Sequence, residues 1–346
     1  MLTAGIVSFR LGGPDGVSIE AAKWASALNR IGWKTITVAG AGTADRLVPG
    51  LGLEDTDQGG PDVAQLTESL EDADVVVVEN LCSLPLNPAA AGRVAAAVKG
   101  RPAVLHHHDL PWQRQRFAGS PYVIPDDPSW GHVTINELSR LDLADRGIRA
   151  TTIRNAFDVD APQGDRRATR NALGIGPSDR LVLQPTRAIR RKNIPAAVAL
   201  AQAVDAVFWL IGPAEEGYDG ELARLLAEPR RRGMRVIHGL EAPSVADAYA
   251  AADLVTLPSF WEGFGNPVVE SAIHRRPLAI GDYPVSRELS RYGFRWLSAD
   301  DHDAARRWFA DPDEVLLEHN WEVAHRWFSF DALDAALAEL LAELLR

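Results

Sequence analysis

Short runs of β-branched and other apolar residues alternate along the chain with Ala- and Leu-rich stretches of helical length. Such alternation marks a parallel sheet covered by helices, an α/β fold. In the first half it predicts strands at Ala4 to Phe9, Thr35 to Ala39, Val75 to Glu79, Ala103 to His107 and His132 to Ile135. Helices at Ile19 to Ile31, Asp62 to Leu70 and Pro88 to Val98 separate them. A second series follows at Leu181 to Gln184, Val207 to Ile211, Arg235 to His238, Leu254 to Leu257 and Leu278 to Ile280. The fold is thus predicted to be built twice. The join is expected within Asn155 to Gly176, a polar stretch with Gly and Pro and no sustained apolar period. Beyond Asp311 the chain reads as helical and closes on the apolar stripe of ALDAALAELLAELLR.

The length of 346 residues agrees with two domains. At 46% hydrophobic and 24% charged residues, wholesale disorder, collagen-like and coiled-coil readings are excluded. The net charge of −11 disfavours nucleic acid and anionic bilayers as partners. Cys82 is the only cysteine, which rules out an intramolecular disulfide and a thiolate metal cluster. The first residues, MLTAGIVSFRLGG, read as a strand entering a glycine turn rather than a signal peptide, and no run approaches the apolar length of a spanning helix. A cytoplasmic protein without integral membrane association is expected.

Four segments carry candidate chemistry. Leu11-Gly12-Gly13-Pro14-Asp15-Gly16 lies between a strand and a helix, where glycines let a ligand approach the backbone. Leu11 stands where a G-x-G-x-x-G motif needs its first glycine, and the second strand ends at Gly40 rather than an acid, which disfavours NAD. No P-loop motif occurs. His106-His107-His108-Asp109 closes the fourth strand. Strand alternation turns His106 and His108 to one face and His107 to the other, so the row is not one three-ligand metal set, and no metal is expected. His108 and Asp109 lie nearest the ligand-binding edge of such a sheet.

Arg187 to Lys192 gathers four cations before a helix start at Asn193 and Pro195, a setting that suits a diphosphate. Glu262-Gly263-Phe264-Gly265-Asn266-Pro267 leaves a strand and enters a helix, with Asn266 as expected N-cap and Glu270 in the early helix. The two carboxylates are expected to hold different parts of one elongated ligand, while the N–H groups of Phe264, Gly265 and Asn266 donate to its oxygens.

Glu262 through Glu270 resembles the E-x7-E motif, with its EGFG opening, of glycosyltransferase family 4, retaining glycosyltransferases of the GT-B fold. Arg187 and Lys192 match that family's donor-phosphate pair, Gly12-Gly13 its glycine loop, His108 its histidine near the transferred sugar, and Asn155 to Asp158 its N-G-V-D segment. The resemblance implies two Rossmann-like domains facing across a cleft. Residues 1–155 would form the acceptor domain, with 322–346 packing back on it, and 156–321 the nucleotide-sugar donor domain. By position, Glu270 would bind the ribose, Glu262 and the N–H groups of Phe264 to Asn266 the sugar, and Arg187 and Lys192 the leaving diphosphate. His238 and Gly239 would flank the base.

The implied reaction is retaining transfer of a hexose from GDP-mannose or a UDP-hexose by a front-face step that needs neither metal nor cofactor, to a small-molecule or glycan acceptor. Departures fall on the acceptor side: Asn136 stands where serine is common, and Asp109, Trp112 and Arg114 belong to an unusual run that can line an acceptor site. Two competing readings are a GT-B epimerase or hydrolase, which releases nucleotide without an acceptor, and a module that binds a nucleotide sugar without turnover.

Overall fold

The computed structural model describes residues 1–13, 15–56 and 59–346; Pro14 of the glycine turn lies outside the described residues. The chain forms two compact units: Met1–Ala156 with Phe330–Arg346, and Phe157–Ser329.

The first unit is built on strands β1 (Thr3–Leu11), β2 (Lys34–Gly42), β3 (Arg46–Leu47), β4 (Val75–Glu79), β5 (Ala103–His107), β6 (Trp130–Thr134) and β7 (Ala150–Thr152), with helices α1 (Gly16–Arg30), α2 (Val63–Ser69), α3 (Pro88–Val98) and α4 (Glu137–Ala144). The strands form one parallel sheet in the order β3-β2-β1-β4-β5-β6-β7. Every residue of β4 and β5 is buried, as expected of strands covered on both faces. Alternation divides their side chains between two cores. Val76, Val78 and Leu105 join Leu66 and Val94 on one face, while Val75, Val77 and Val104 join Trp24, Leu28 and Leu337 on the other.

The second unit holds α5 (Arg166–Ala172), β8 (Arg180–Gln184), α6 (Ile194–Ala203), β9 (Ala206–Leu210), α7 (Asp219–Arg231), β10 (Val236–His238), α8 (Val245–Ala251), β11 (Leu254–Leu257), α9 (Pro267–Ile273), β12 (Leu278–Ile280), α10 (Pro284–Ser290), β13 (Leu297–Ser298), α11 (His302–Ala310) and α12 (Glu314–Phe328). Its parallel sheet runs β10-β9-β8-β11-β12-β13. Helix α13 (Phe330–Leu344) returns to the first unit, where Leu333, Leu337, Leu340 and Leu341 are buried in the core that contains Trp24. Of the 322–346 span expected there, 322–329 stays with the second unit, because Phe328 at the end of α12 is held among Phe264, Tyr292 and Phe294.

The stretch read as an aperiodic join contains α5. Its polar side chains are structural: Arg166 and Arg170 donate to carbonyls at the end of α8 and pair with Asp253. In both sheets the strand order reverses beside the first strand, with β1 between β2 and β4 and β8 between β9 and β11. Loops leaving the carboxyl ends of the strands at such a reversal form the ligand site of open α/β sheets. Among the described residues, no helix is long and apolar enough to cross a membrane.

Candidate active site

In the second unit the loops after β8 and β11 are tied together. Gln184 Nε2 donates to the Lys192 carbonyl (2.9 Å), Asn193 Nδ2 to the Pro258 carbonyl (3.1 Å), and the Phe260 N–H to the Arg191 carbonyl (2.9 Å). Glu262 sits in the middle, only 5% exposed. Its carboxylate accepts from Lys192 Nζ, Arg191 Nη1 and Ser259 Oγ, each at 2.5 Å. Burial pushes the Glu262 carboxyl up, but the charges of Lys192 and Arg191 outweigh it and hold it below the usual range. Lys192 moves the same way: burial, helped by the neighbouring Arg191 and Arg187, lowers its ammonium against the pull of Glu262. Two cations share one carboxylate, so this nearly dry cluster has positive charge to spare for an anion.

Arg187, half exposed and paired with Glu215 at 2.5 Å, leads from this cluster to a pocket of about 360 Å³ lined by Thr186, Arg187, Ile211, Gly212, Tyr249 and Glu270 among others. Tyr249 Oη, on the fully buried side of α8, donates to Glu270 Oε2 at 2.6 Å. Burial, reinforced by Glu270, pushes this phenol well up, so it remains a donor. His238 donates through Nε2 to the Gly212 carbonyl at 3.2 Å, which fixes its ring to a wall of the pocket. Gly265 follows Gly263 and the buried Phe264 with φ +95°, and a Cβ there would lie 2.6 Å from Tyr283 Oη, so the loop requires glycine at 265.

Two expected caps differ from the sequence reading. Asn193 does precede α6, but it is left-handed (φ 50°) and its side chain serves the Pro258 carbonyl rather than the helix. Asn266 is already helical (φ −42°, ψ −39°), so its side chain does not cap α9.

In the first unit Gly12 ends β1 with φ +73°, where a Cβ would meet Thr43 at 2.8 Å, and Gly13 precedes the Asp15 N-cap of α1. The histidine row separates as strand alternation requires. His107 faces Ser83 (2.7 Å) and His132 (2.9 Å), and His132 in turn faces Asp126 (3.1 Å). His106 and His108 point to the other face and converge on Glu79: His106 Nδ1 lies 2.9 Å and His108 Nε2 3.0 Å from Glu79 Oε2. The residues Glu79, His106 and His108 bring oxygen and nitrogen atoms within 4.8 Å of one another, and here the two imidazole N–H groups turn onto the carboxylate.

Burial raises the Glu79 carboxyl, but the two imidazoles overcome it and bring it down to about 2. Burial lowers His106, whose ring stacks on Trp24 at 4.1 Å. Burial also works against the charged form of His108, yet Glu79, Glu20 and Asp109 raise it. Glu20 is itself nearly buried, paired with Lys23 at 2.6 Å, and pushed up by burial.

The expected acceptor residues have local partners. Asp109 accepts from Arg114 at 2.5 Å; Trp112 donates to Asp142 at 3.0 Å under the Arg146 guanidinium; Asn136 caps α4 through the Ser139 N–H at 2.7 Å.

The family described as "Glycosyl transferases group 1" matches residues 191–309, a span that holds Arg191, Lys192, Glu262 and Glu270. The match covers about a third of the chain, all of it in the second unit. The mannosylglucosylglycerate synthase of Petrotoga mobilis is 27% identical, over 85% of this chain and 86% of its own length. That of Thermotoga maritima is 24% identical over 96% and 98%. A D-inositol 3-phosphate glycosyltransferase of Thermobispora bispora is 32% identical over 52% of this chain and 47% of its own. In fold, the chain resembles the Anabaena HepE structure in complex with UDP and glucose, with a TM-score of 0.79 and 17% identity over 99% of this chain and 100% of that one. Sucrose-phosphate synthase of Thermosynechococcus elongatus superposes at 0.75 with 14% identity, over 100% of this chain and 99% of that one. The fold is GT-B.

Some residues of these clusters escaped the sequence reading. Arg191 stands in the basic run but only the fold shows it on Glu262, and Tyr249 lies in an Ala-rich helix with nothing to distinguish it. Glu79 did carry a signal: it is the one carboxylate closing an otherwise apolar strand, VVVVE.

Proposed function

We propose that this protein is a glycosyltransferase that takes a hexose from a nucleotide sugar, holds this donor on the second unit and its acceptor on the first, and transfers the hexose with retention of anomeric configuration. The observation that carries the reading is the continuity from the cationic cluster to the pocket: Arg187 borders both Lys192 and the cavity that Tyr249 and Glu270 close. A diphosphate beside Arg187 and Lys192 directs the ribose toward Glu270 and the base along the Gly212 and His238 wall. Glu262, with the N–H groups of Phe264 to Asn266, serves the sugar. Positive charge fixed before the reaction begins stabilises the departing diphosphate, the largest electrostatic demand of the step. In this reading no metal or other cofactor takes part.

Mannosyl transfer from GDP-mannose comes first among the donors, ahead of a UDP-hexose, because the relatives matched over most of their length are named for a mannosylated product. Their names, and that of the inositol 3-phosphate relative, point to a small hydroxylated acid or phosphate as acceptor. His108 touches the reacting sugar or the acceptor hydroxyl.

A thermal-shift series with GDP, UDP, ADP and NAD tests the donor half, since a ligand of the folded state alone raises the melting temperature by mass action. Stabilisation by one nucleoside diphosphate and not by NAD is expected. Stabilisation by NAD alone, or by none, removes the assignment of Arg187, Lys192 and Glu270. With the donor known, the anomeric coupling constant of the product reads retention directly, and an inverted product refutes it.

A further inference from the structure

The group that the proposed function leaves unused is Glu79. It is a carboxylate with 0% exposure, closing a strand whose other four residues are valine, at the carboxyl end of β4 beside β1. An isolated ionised carboxylate is costly in such a place, and an apolar residue would extend the β4 pattern without that cost. Its partners are two imidazoles from the neighbouring strand end, and one of them belongs to His108.

His108 is held at two points, both from the end of β4. Its backbone N–H donates to Asn80 Oδ1 at 3.0 Å, with Asn80 in the left-handed region at φ 54°. Its ring meets Glu79 Oε2 through Nε2 at 3.0 Å. A carboxylate of this acidity can only accept, so Nε2 must carry the proton. Among the described residues no hydrogen bond reaches Nδ1. The ring is therefore turned with one nitrogen committed to the protein and the other uncommitted.

We propose that Glu79 is a positioning residue for the transfer reaction, which fixes His108 as its Nε2–H form and presents Nδ1 to the substrate. The inference rests on the proposed role of His108 in transfer. A buried carboxylate that orients one nitrogen of a histidine so the other can work is a recurring catalytic arrangement. The charged surroundings of His108 are mixed and weigh, against its burial, toward a proton on its ring. Glu79 from β4, Glu20 from α1 and Asp109 beyond β5 favour a proton on His108, while His106 opposes it, and Lys23 on α1 is taken up by Glu20. His106, its own ring stacked on Trp24, adds a second N–H to the same carboxylate and so holds Glu79 from a second side. Both carboxylate contacts fall on Oε2 within 3.0 Å, and His106 also reaches Oε1 at 3.1 Å.

The experiment is a kinetic cycle of Glu79→Gln, His108→Ala and the double variant, with donor and acceptor varied. Glu79→Gln is expected to lower kcat about 10- to 100-fold, part of the about 10²–10⁴ that a positioned proton-handling group supplies. Donor KM is expected to change less than about threefold, and Glu79→Gln to cost nothing more once His108 is alanine. A full additional loss in the His108→Ala background, or an unchanged kcat in Glu79→Gln, overturns the inference. Should Glu79→Gln not fold, long-range ¹H–¹⁵N spectra of the wild-type protein decide it. Protonated Nε2 on His108 supports the inference, and a bare Nε2 with Nδ1–H overturns it. The two readings fail separately, because full turnover in His108→Ala sinks the proposed role of His108 whatever Glu79 does.

Discussion

Arg187 and Lys192 carry like charge toward one proposed phosphate, yet the fold places them differently, and their variants should separate. Arg187 is half exposed and paired with a partly exposed Glu215, a pairing of the kind worth about 0–1 kcal/mol. Lys192 is buried on the buried Glu262. Arg187→Ala is expected to lower kcat by about 10²–10³-fold, the usual cost of removing one preorganised donor to developing charge, at unchanged melting temperature. Lys192→Ala should lose as much turnover and stability as well, because Glu262 then rests on Arg191 and Ser259 alone. A loss on the order of 1–3 kcal/mol is the range for a buried polar group left short of a partner. Equal melting temperatures for the two variants would show that Arg191 satisfies Glu262 unaided. The types and spacing of these residues were legible in the sequence. What the sequence withheld was that Lys192 and Glu262, expected to serve phosphate and sugar, serve each other. That contact joins loops after two strands that neighbour only in the folded sheet.

At the scale of the element, strands buried throughout announced themselves and short strands with no buried residue did not. β4, β5, β11 and β12 lie where the apolar runs put them, because strands covered on both faces have nothing but apolar side chains to show. β3, β7 and β13, of two or three residues with none buried, show no apolar run. The loop between β11 and α9 was marked out in the sequence by its glycines, although only the structure shows which glycine is obligatory. Gly239 and Gly265 both have positive φ, but a Cβ on Gly239 meets nothing within 4 Å whereas one on Gly265 meets the buried Tyr283 hydroxyl. Alanine at 239 should therefore carry only the backbone penalty, about 1–2 kcal/mol. Alanine at 265 should carry that penalty and a collision, so its melting temperature should fall further and its nucleoside diphosphate affinity about tenfold, since Glu262 and Glu270 flank the loop. Equal destabilisation by the two substitutions, measured by thermal melts, would mean that Tyr283 yields without cost.

For the whole molecule, the doubled α/β plan and the binding edge of each sheet followed from periodicity, while the buried titratable groups followed from nothing local. Among the described residues, burial holds four histidines, His106, His107, His132 and His274, below the ordinary value of 6.5. Only His108 is held above it. As pH falls through 6.5 the unfolded chain takes up protons that the four folded histidines refuse, so the native state loses stability by up to about 1.4 kcal/mol per pH unit for each net proton. His108 works in the opposite sense: its contribution is fully present below 6.5 and disappears as pH rises through its raised folded value. Four against one, the balance favours acid lability. The melting temperature is expected to hold above neutrality and to decline from about pH 6.5 downward. A second decline should begin below 4.5, where Glu79, ionised in the fold down to about 2, is protonated in the unfolded chain. Substituting His107, which burial holds lowest and which faces away from His108, with glutamine should flatten the first decline and leave the second untouched. A melting temperature level from pH 8 to 5 would show that these histidines titrate alike in both states, and would remove the electrostatic account of the first unit's core.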